Sequence, residues 1–187
     1  MDKSLKPMSA LGHDTAQTLK IGGIVIAERL DVALASLAVR WGRDGDVALA
    51  AQTAGVPLPA AARAEQRDPF AAFWVTPEMW FIEAPIDRHE DIAADLKAVF
   101  GEAASVTEQT GAWVRFDLTA PDLTLLLERL TNLNLAGSPN LYASRTVIDH
   151  LGCYLIKRSA NQVTLYGPRS SAASLLHALE VAAKSVV

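Results

Sequence analysis

Residues 145–158 read RTVIDHLGCYLIKR and run through the tetrad Ser159-Ala160-Asn161-Gln162 into Val163-Thr164-Leu165-Tyr166. The apolar residues Val147, Ile148, Leu151, Cys153, Leu155 and Ile156 leave little room for polar ones, which predicts one long buried strand. The tetrad then acts as a hairpin turn, so Val163–Tyr166 returns antiparallel. One antiparallel pair in a chain whose strands otherwise alternate with helices excludes a purely parallel α/β sheet. It points to an α+β fold with mixed or antiparallel sheets.

One arrangement recurs along the chain. Trp80–Ala84 and Pro85 precede a helical stripe of Ile92, Leu96, Val99 and Phe100. Val114–Leu118 and Pro121 precede Leu123, Leu126, Leu127 and Leu130, and Val163–Tyr166 with Gly167-Pro168 precedes Leu175, Leu176 and Leu179. Each is a strand, a proline that stops it, and a helix whose apolar side repeats with a period of 3.6. The segment from Leu30 to Thr53 is a similar unit without the proline. Its strand, Leu30–Arg40, is apolar on both faces and is expected to be central, and Asp46 is expected to cap a helix over Val47–Thr53. Gly55-Val56-Pro57-Leu58-Pro59 stops that helix. Residues 60–69, AAARAEQRDP, read as an exposed connector, helical at most in part.

The chain has 187 residues, 50% of them hydrophobic and 20% charged, with 17 basic against 21 acidic side chains. That length predicts one domain over residues 19–187, with lobes at roughly 19–110 and 111–187, behind a flexible N-terminal arm at residues 1–18. A net charge of -4 argues against a nucleic-acid partner. The single cysteine excludes a disulfide framework and a cysteine zinc cluster, and fits a cytoplasmic protein. Mean hydropathy is +0.17, but 32 alanines raise it. The longest uncharged run, residues 47–62, holds Gln52, Thr53, Gly55, Pro57 and Pro59, so no membrane partner is expected.

Residues that carry chemistry are sparse. Ile21-Gly22-Gly23-Ile24 reads as a turn rather than a phosphate cradle, and there is no Walker loop, H-E-x-x-H or G-x-S-x-G. His13, His89, His150 and His177 are scattered. His150 is expected to be a buried, hydrogen-bonded side chain or a subunit contact, since neighbouring Asp149 would point to the other face of a strand. Cys153 is expected to be a buried inert thiol. Arg169, Ser170 and Ser171 open a helix and are read as simple capping by a serine, with an anion site as the alternative. No catalytic, cofactor-binding or metal-ligating residue is assigned. Phe70, Phe73, Trp74, Trp80 and Phe81 gather aromatic area that serves either a core or a protein interface. Asn132, Asn134, Ser138, Pro139 and Asn140 form a loop interleaved with Leu133, Leu135 and Leu141. The candidate subunit interface is therefore Phe73, Trp74, Trp80, Phe81, Leu133, Asn134 and Leu141.

Four colinear segments resemble the gamma subunit of bacterial heterotetrameric sarcosine oxidase. They are Gly55-Val56-Pro57-Leu58-Pro59; Trp74-Val75-Thr76-Pro77-Glu78-Met79-Trp80-Phe81; Asn134-Leu135 with Ala143–Ile148; and Arg169-Ser170-Ser171-Ala172-Ala173-Ser174-Leu175 with Leu179. Thr76, Ser171, Asn134 and Ala120-Pro121 depart from that family's usual glycine, aromatic, aspartate and Gly-Pro. The resemblance implies two related lobes of the aminomethyltransferase folate-binding type, with helices on one face of the sheets. It also implies a non-catalytic subunit in a complex that oxidatively demethylates sarcosine to glycine with tetrahydrofolate as one-carbon acceptor. Its partners would be the alpha, beta and delta subunits, which would hold FAD, FMN, NAD and zinc, while this chain would bind no cofactor. The alternative is a free-standing folate-binding aminomethyltransferase-like protein.

Overall fold

In the computed structural model, which describes residues 8–187, the central strand expected near residue 35 is β3 (Val32–Val39). It pairs antiparallel with β6 (Met79–Pro85) on one side and β7 (Ala104–Glu108) on the other. With β4 (Ala64–Arg67) and β5 (Phe70–Thr76) these strands form a five-stranded sheet in the order β4-β5-β6-β3-β7. The second sheet has six strands in the order β1-β2-β8-β11-β10-β9. Its members are β1 (Thr18–Ile21), β2 (Ile24–Arg29), β8 (Trp113–Thr119), β9 (Tyr142–Ile148), β10 (Leu151–Ser159) and β11 (Gln162–Pro168). Every pairing in both sheets is antiparallel.

Side-chain alternation makes four layers from these elements. Ala33, Ala35, Leu37, Ile82 and Ala84 turn outward from the five-stranded sheet. They meet Val47 and Ala51 of α1 (Asp44–Ala54) and Ile92, Leu96 and Phe100 of α2 (Ile92–Phe100). Val114, Phe116, Leu118, Leu155, Val163 and Leu165 turn outward from the six-stranded sheet. They pack on α3 (Thr124–Leu130) and α4 (Ala172–Lys184) through Leu126, Leu127, Leu175 and Leu179. The inner faces meet one another: Leu34, Phe73, Val75 and Phe81 against Ala143, Ile156 and Tyr166. Each sheet thus carries helices on one face, and the strand-then-helix units are β3-α1, β6-α2, β8-α3 and β11-α4.

Several expectations are corrected. The stretch 145–158 is not one strand but a hairpin, because Ile148 pairs with Leu151 across a two-residue turn at Asp149 and His150. Both turn residues have positive φ, 46° and 68°, the left-handed geometry that tight hairpins need and that aspartate tolerates. His150 is therefore exposed at a turn tip, not buried. Residues 64–67 of the supposed connector form the edge strand β4, whose charged Glu65 and Arg67 hide the strand signal. Helix α1 begins before Asp46, which lies in its first turn instead of capping it, and ends on Gly55 in the left-handed conformation. The sheets also divide the chain differently from the expected lobes, since β1 and β2 join the six-stranded sheet beside β8.

Of the arm expected at 1–18, residues 1–7 lie outside the described residues. Residues 8–17 are fastened to the body. The buried Glu28 carboxylate accepts from the backbone N–H of Ala10 (3.0 Å) and Gln17 (3.1 Å), and Arg169 Nη2 donates to the Met8 carbonyl (2.7 Å). Among the described residues no helix is long and apolar enough to cross a membrane.

Candidate functional site: an ionic junction between the sheets and an exposed tryptophan

One end of the space between the sheets is polar. Glu83, on β6, is the only residue of the five-stranded sheet in this junction, and three residues of the other sheet converge on it. Arg115 Nη1 donates at 3.1 Å, Arg158 Nη2 donates to both oxygens at 2.6 and 2.8 Å, and the Tyr166 hydroxyl donates at 2.5 Å. Burial by itself would raise the Glu83 pKa, but the charges of Arg158 and Arg115, with hydrogen bonds from Arg158 and Tyr166, hold it at about 2. Burial also pushes the Tyr166 hydroxyl well above its ordinary value, and the neighbouring carboxylate adds to that shift. Arg115 keeps its proton despite burial because Tyr166, Glu83 and Asp117 surround it.

The junction continues within the six-stranded sheet. Arg115 reaches Asp117 through Nε and Nη2, both at 3.0 Å, and Thr164 donates to Asp117 at 2.7 Å. Arg29 and Arg115 face one another directly across the β2–β8 pair. That like-charge contact is offset by Asp117, 3.4 Å from Arg29, and by Asp31, which pairs with Arg29. Every fixed charge in the junction thus has an opposite partner, the condition under which charges persist in an interior.

The middle of the space between the sheets is aromatic. Phe73 and Phe81 contact the rings of Trp113, Tyr154 and Tyr166 at centroid distances of 5.4–5.8 Å. Phe73 is 0% and Phe81 3% exposed, so neither presents a surface to a partner; the reading of these two as interface residues is corrected to inter-sheet core. Trp74 and Trp80 form a cross-strand pair and are half-buried. The Trp80 indole donates to the Pro59 carbonyl at 2.7 Å, which ties the 55–59 segment to the sheet. In the loop after α3, Asn134 is exposed, and its side-chain oxygen accepts from the Gly137 N–H at 3.1 Å. Leu133 and Leu141 are half-buried against the two cores. The two halves of the candidate interface, 73–81 and 133–141, lie on different elements, and Leu141 packs against the cluster that holds Phe73 and Phe81.

The residue most available to a partner is one the sequence reading did not single out. Trp41 is 99% exposed. It sits in the turn between β3 and α1, held by hydrogen bonds from Val39 N–H to the Glu78 carbonyl (2.9 Å), Arg40 N–H to the Ala103 carbonyl (3.0 Å) and Arg43 N–H to the Arg40 carbonyl (3.0 Å). A fastened turn therefore presents a whole indole to water. The available signal was a tryptophan between Arg40 and Gly42-Arg43 in a turn, where burial is not expected.

Cys153 is fully buried, and burial raises its thiol to about 11, as expected for an inert side chain. Neither Ser170 nor Ser171 caps α4 with its side chain; the capping reading is corrected, and Arg169 holds Met8 instead. Among the described residues no group of three histidine, cysteine, aspartate or glutamate side chains is arranged to hold a metal ion.

Two antiparallel sheets stacked face to face, each backed by two helices, resemble aminomethyltransferase-family folds. Structural comparison makes this concrete. A chain of the heterotetrameric sarcosine oxidase from Corynebacterium sp. U-96 superposes with a TM-score of 0.74 at 19% identity, over 87% of this chain and 84% of that one. The glycine cleavage system aminomethyltransferase T from Bartonella henselae superposes with a TM-score of 0.61 at 12% identity, over 84% of this chain but 48% of that one. Neither a family model nor a curated protein sequence matches the chain.

Proposed function

We propose that this chain is the gamma-type subunit of a heterotetrameric sarcosine oxidase-like complex, and that it supports assembly instead of performing the chemistry. The observation that carries this reading is the reciprocal length match to a chain of the sarcosine oxidase, where most of each chain is aligned. In this reading the alpha, beta and delta subunits are its partners and hold FAD, FMN, NAD and zinc, and Trp41 anchors the chain on one of them. Tryptophan and arginine dominate binding energy at protein interfaces, and Trp41 stands between Arg40 and Arg43.

Co-expression with the other three subunits tests this. The chain is expected to co-purify in a stoichiometric yellow flavoprotein; a chain that remains monomeric in their presence contradicts the proposal. The second reading, a free-standing folate-binding aminomethyltransferase-like protein, draws on the aminomethyltransferase T likeness. Saturable binding of tetrahydrofolate to the isolated chain would favour it.

A further inference from the structure

Beside the ionic junction, the space between the sheets opens into a cleft of about 390 Å³. Val32, Phe70 and Pro85 form apolar parts of its wall, Arg67 and Asp68 stand on its β4–β5 side, and Arg115 and Arg158 reach it from the six-stranded sheet.

Arg158 is the informative residue. Its side chain is 6% exposed. Its Nε donates to the Thr164 hydroxyl at 3.1 Å and its Nη2 to both oxygens of Glu83. Its Nη1 has no acceptor, and among the described residues it is the one buried side-chain nitrogen or oxygen left so. Buried polar groups in native proteins are almost always satisfied, and an orphaned donor on a cation is costlier than a neutral one. Glu83 does not supply the missing acceptor: Oε1 accepts from Arg158 Nη2, Arg115 and Tyr166 and Oε2 from Arg158 Nη2, and neither oxygen is bonded to Nη1. No protein group supplies the acceptor, and an acceptor brought by whatever fills the cleft would complete the guanidinium.

We propose that this cleft is a binding site for a small carboxylate with a short apolar body, its carboxyl group received by Arg158 Nη1. With Nε and Nη2 committed to Thr164 and Glu83, Nη1 can give one carboxylate oxygen a charge-assisted hydrogen bond, and the hydrocarbon would lie against Val32, Phe70 and Pro85. Arg67, itself paired with Glu65, adds positive charge at the rim to that of Arg115 and Arg158, while Asp31 and Asp68 on the same wall oppose the ligand and tune affinity downward.

Isobutyrate is a suitable probe, and the isosteric neutral isobutyramide is its control. NMR titration of the isotopically labelled full chain at constant ionic strength is expected to show saturable shifts around Phe70, Arg115 and Arg158 with isobutyrate and none with isobutyramide. Arg158→Lys, which keeps the charge beside Glu83 but has no Nη1, is expected to weaken binding about tenfold or more, and Asp68→Asn to tighten it. If Arg158→Lys fails to fold, Arg67→Gln carries the test, since Arg67 is half exposed; it is expected to weaken binding about threefold. Absence of saturable shifts, equal binding of the amide, unchanged affinity in the folded arginine variant, or a crystal structure grown with isobutyrate in which water alone satisfies Nη1, would each overturn the proposal.

Discussion

The two parts of the space between the sheets each centre on buried side chains, Glu83 in one and Phe73 with Phe81 in the other, and are built from opposite chemistry. The aromatic centre around Phe73 and Phe81 joins the sheets by area and ring contact, which are undirected and tolerate reshaping. The junction at Glu83 joins them through one carboxylate that three side chains of the facing sheet must reach at once. The difference teaches how the two sheets acquire a fixed alignment. Apolar contact draws the sheets together, and the charged junction permits only the alignment in which Glu83 meets Arg115, Arg158 and Tyr166.

The comparison can be broken by removing one partner from each part. Glu83→Ala leaves two buried guanidinium groups without their shared counter-charge and is expected to cost about 3–5 kcal/mol in equilibrium urea unfolding. A loss comparable to a surface substitution would show that the junction does not join the sheets. Phe73→Leu keeps the aromatic part apolar and is expected to cost less, under about 1.5 kcal/mol by the same measurement. Trp41→Ala lies outside both parts and is expected to change stability by less than about 0.5 kcal/mol. Under the proposed subunit role, the same variant should weaken binding by about 2 kcal/mol or more, roughly thirtyfold, read by titration of the chain into the other subunits of the proposed complex. Undiminished binding would remove Trp41 from the interface.

The sequence exposes these regions unequally. The strand-proline-helix units are legible because the 3.6 period of Ile92, Leu96 and Phe100, or of Leu123, Leu126 and Leu130, is a local property. The turn at Asp149-His150 is not, since Val147-Ile148 before it and Leu151 after it are apolar and neither turn residue is a glycine. Strand β4 is hidden because an edge strand carries charge where a central one carries valine. The junction itself leaves only a faint trace, single charges inside apolar strands: Glu83 in MWFIEAP, Arg115 and Asp117 in WVRFDLT. Their meeting is tertiary, across 32 and 75 positions of sequence for the two arginines. The aromatic residues 70–81 show the reverse limit. Their composition is plain, but only strand parity separates Phe73 and Phe81, which face the other sheet, from Trp74 and Trp80, which do not.

The claim that the Glu83 junction joins the sheets is tested most directly by its proton linkage. Held at about 2 in the folded chain and at an ordinary carboxylate value when unfolded, Glu83 contributes stability that is present above the unfolded value and is lost as pH falls toward the folded one. Unfolding of the unmodified chain and of Glu83→Gln should be compared at steps between about pH 6 and pH 2, because the difference between them isolates this group from the other carboxylates. The unmodified chain is expected to be the more stable near neutrality, and its advantage to shrink by about 3 kcal/mol across that range. An advantage that stays constant with pH would contradict the account.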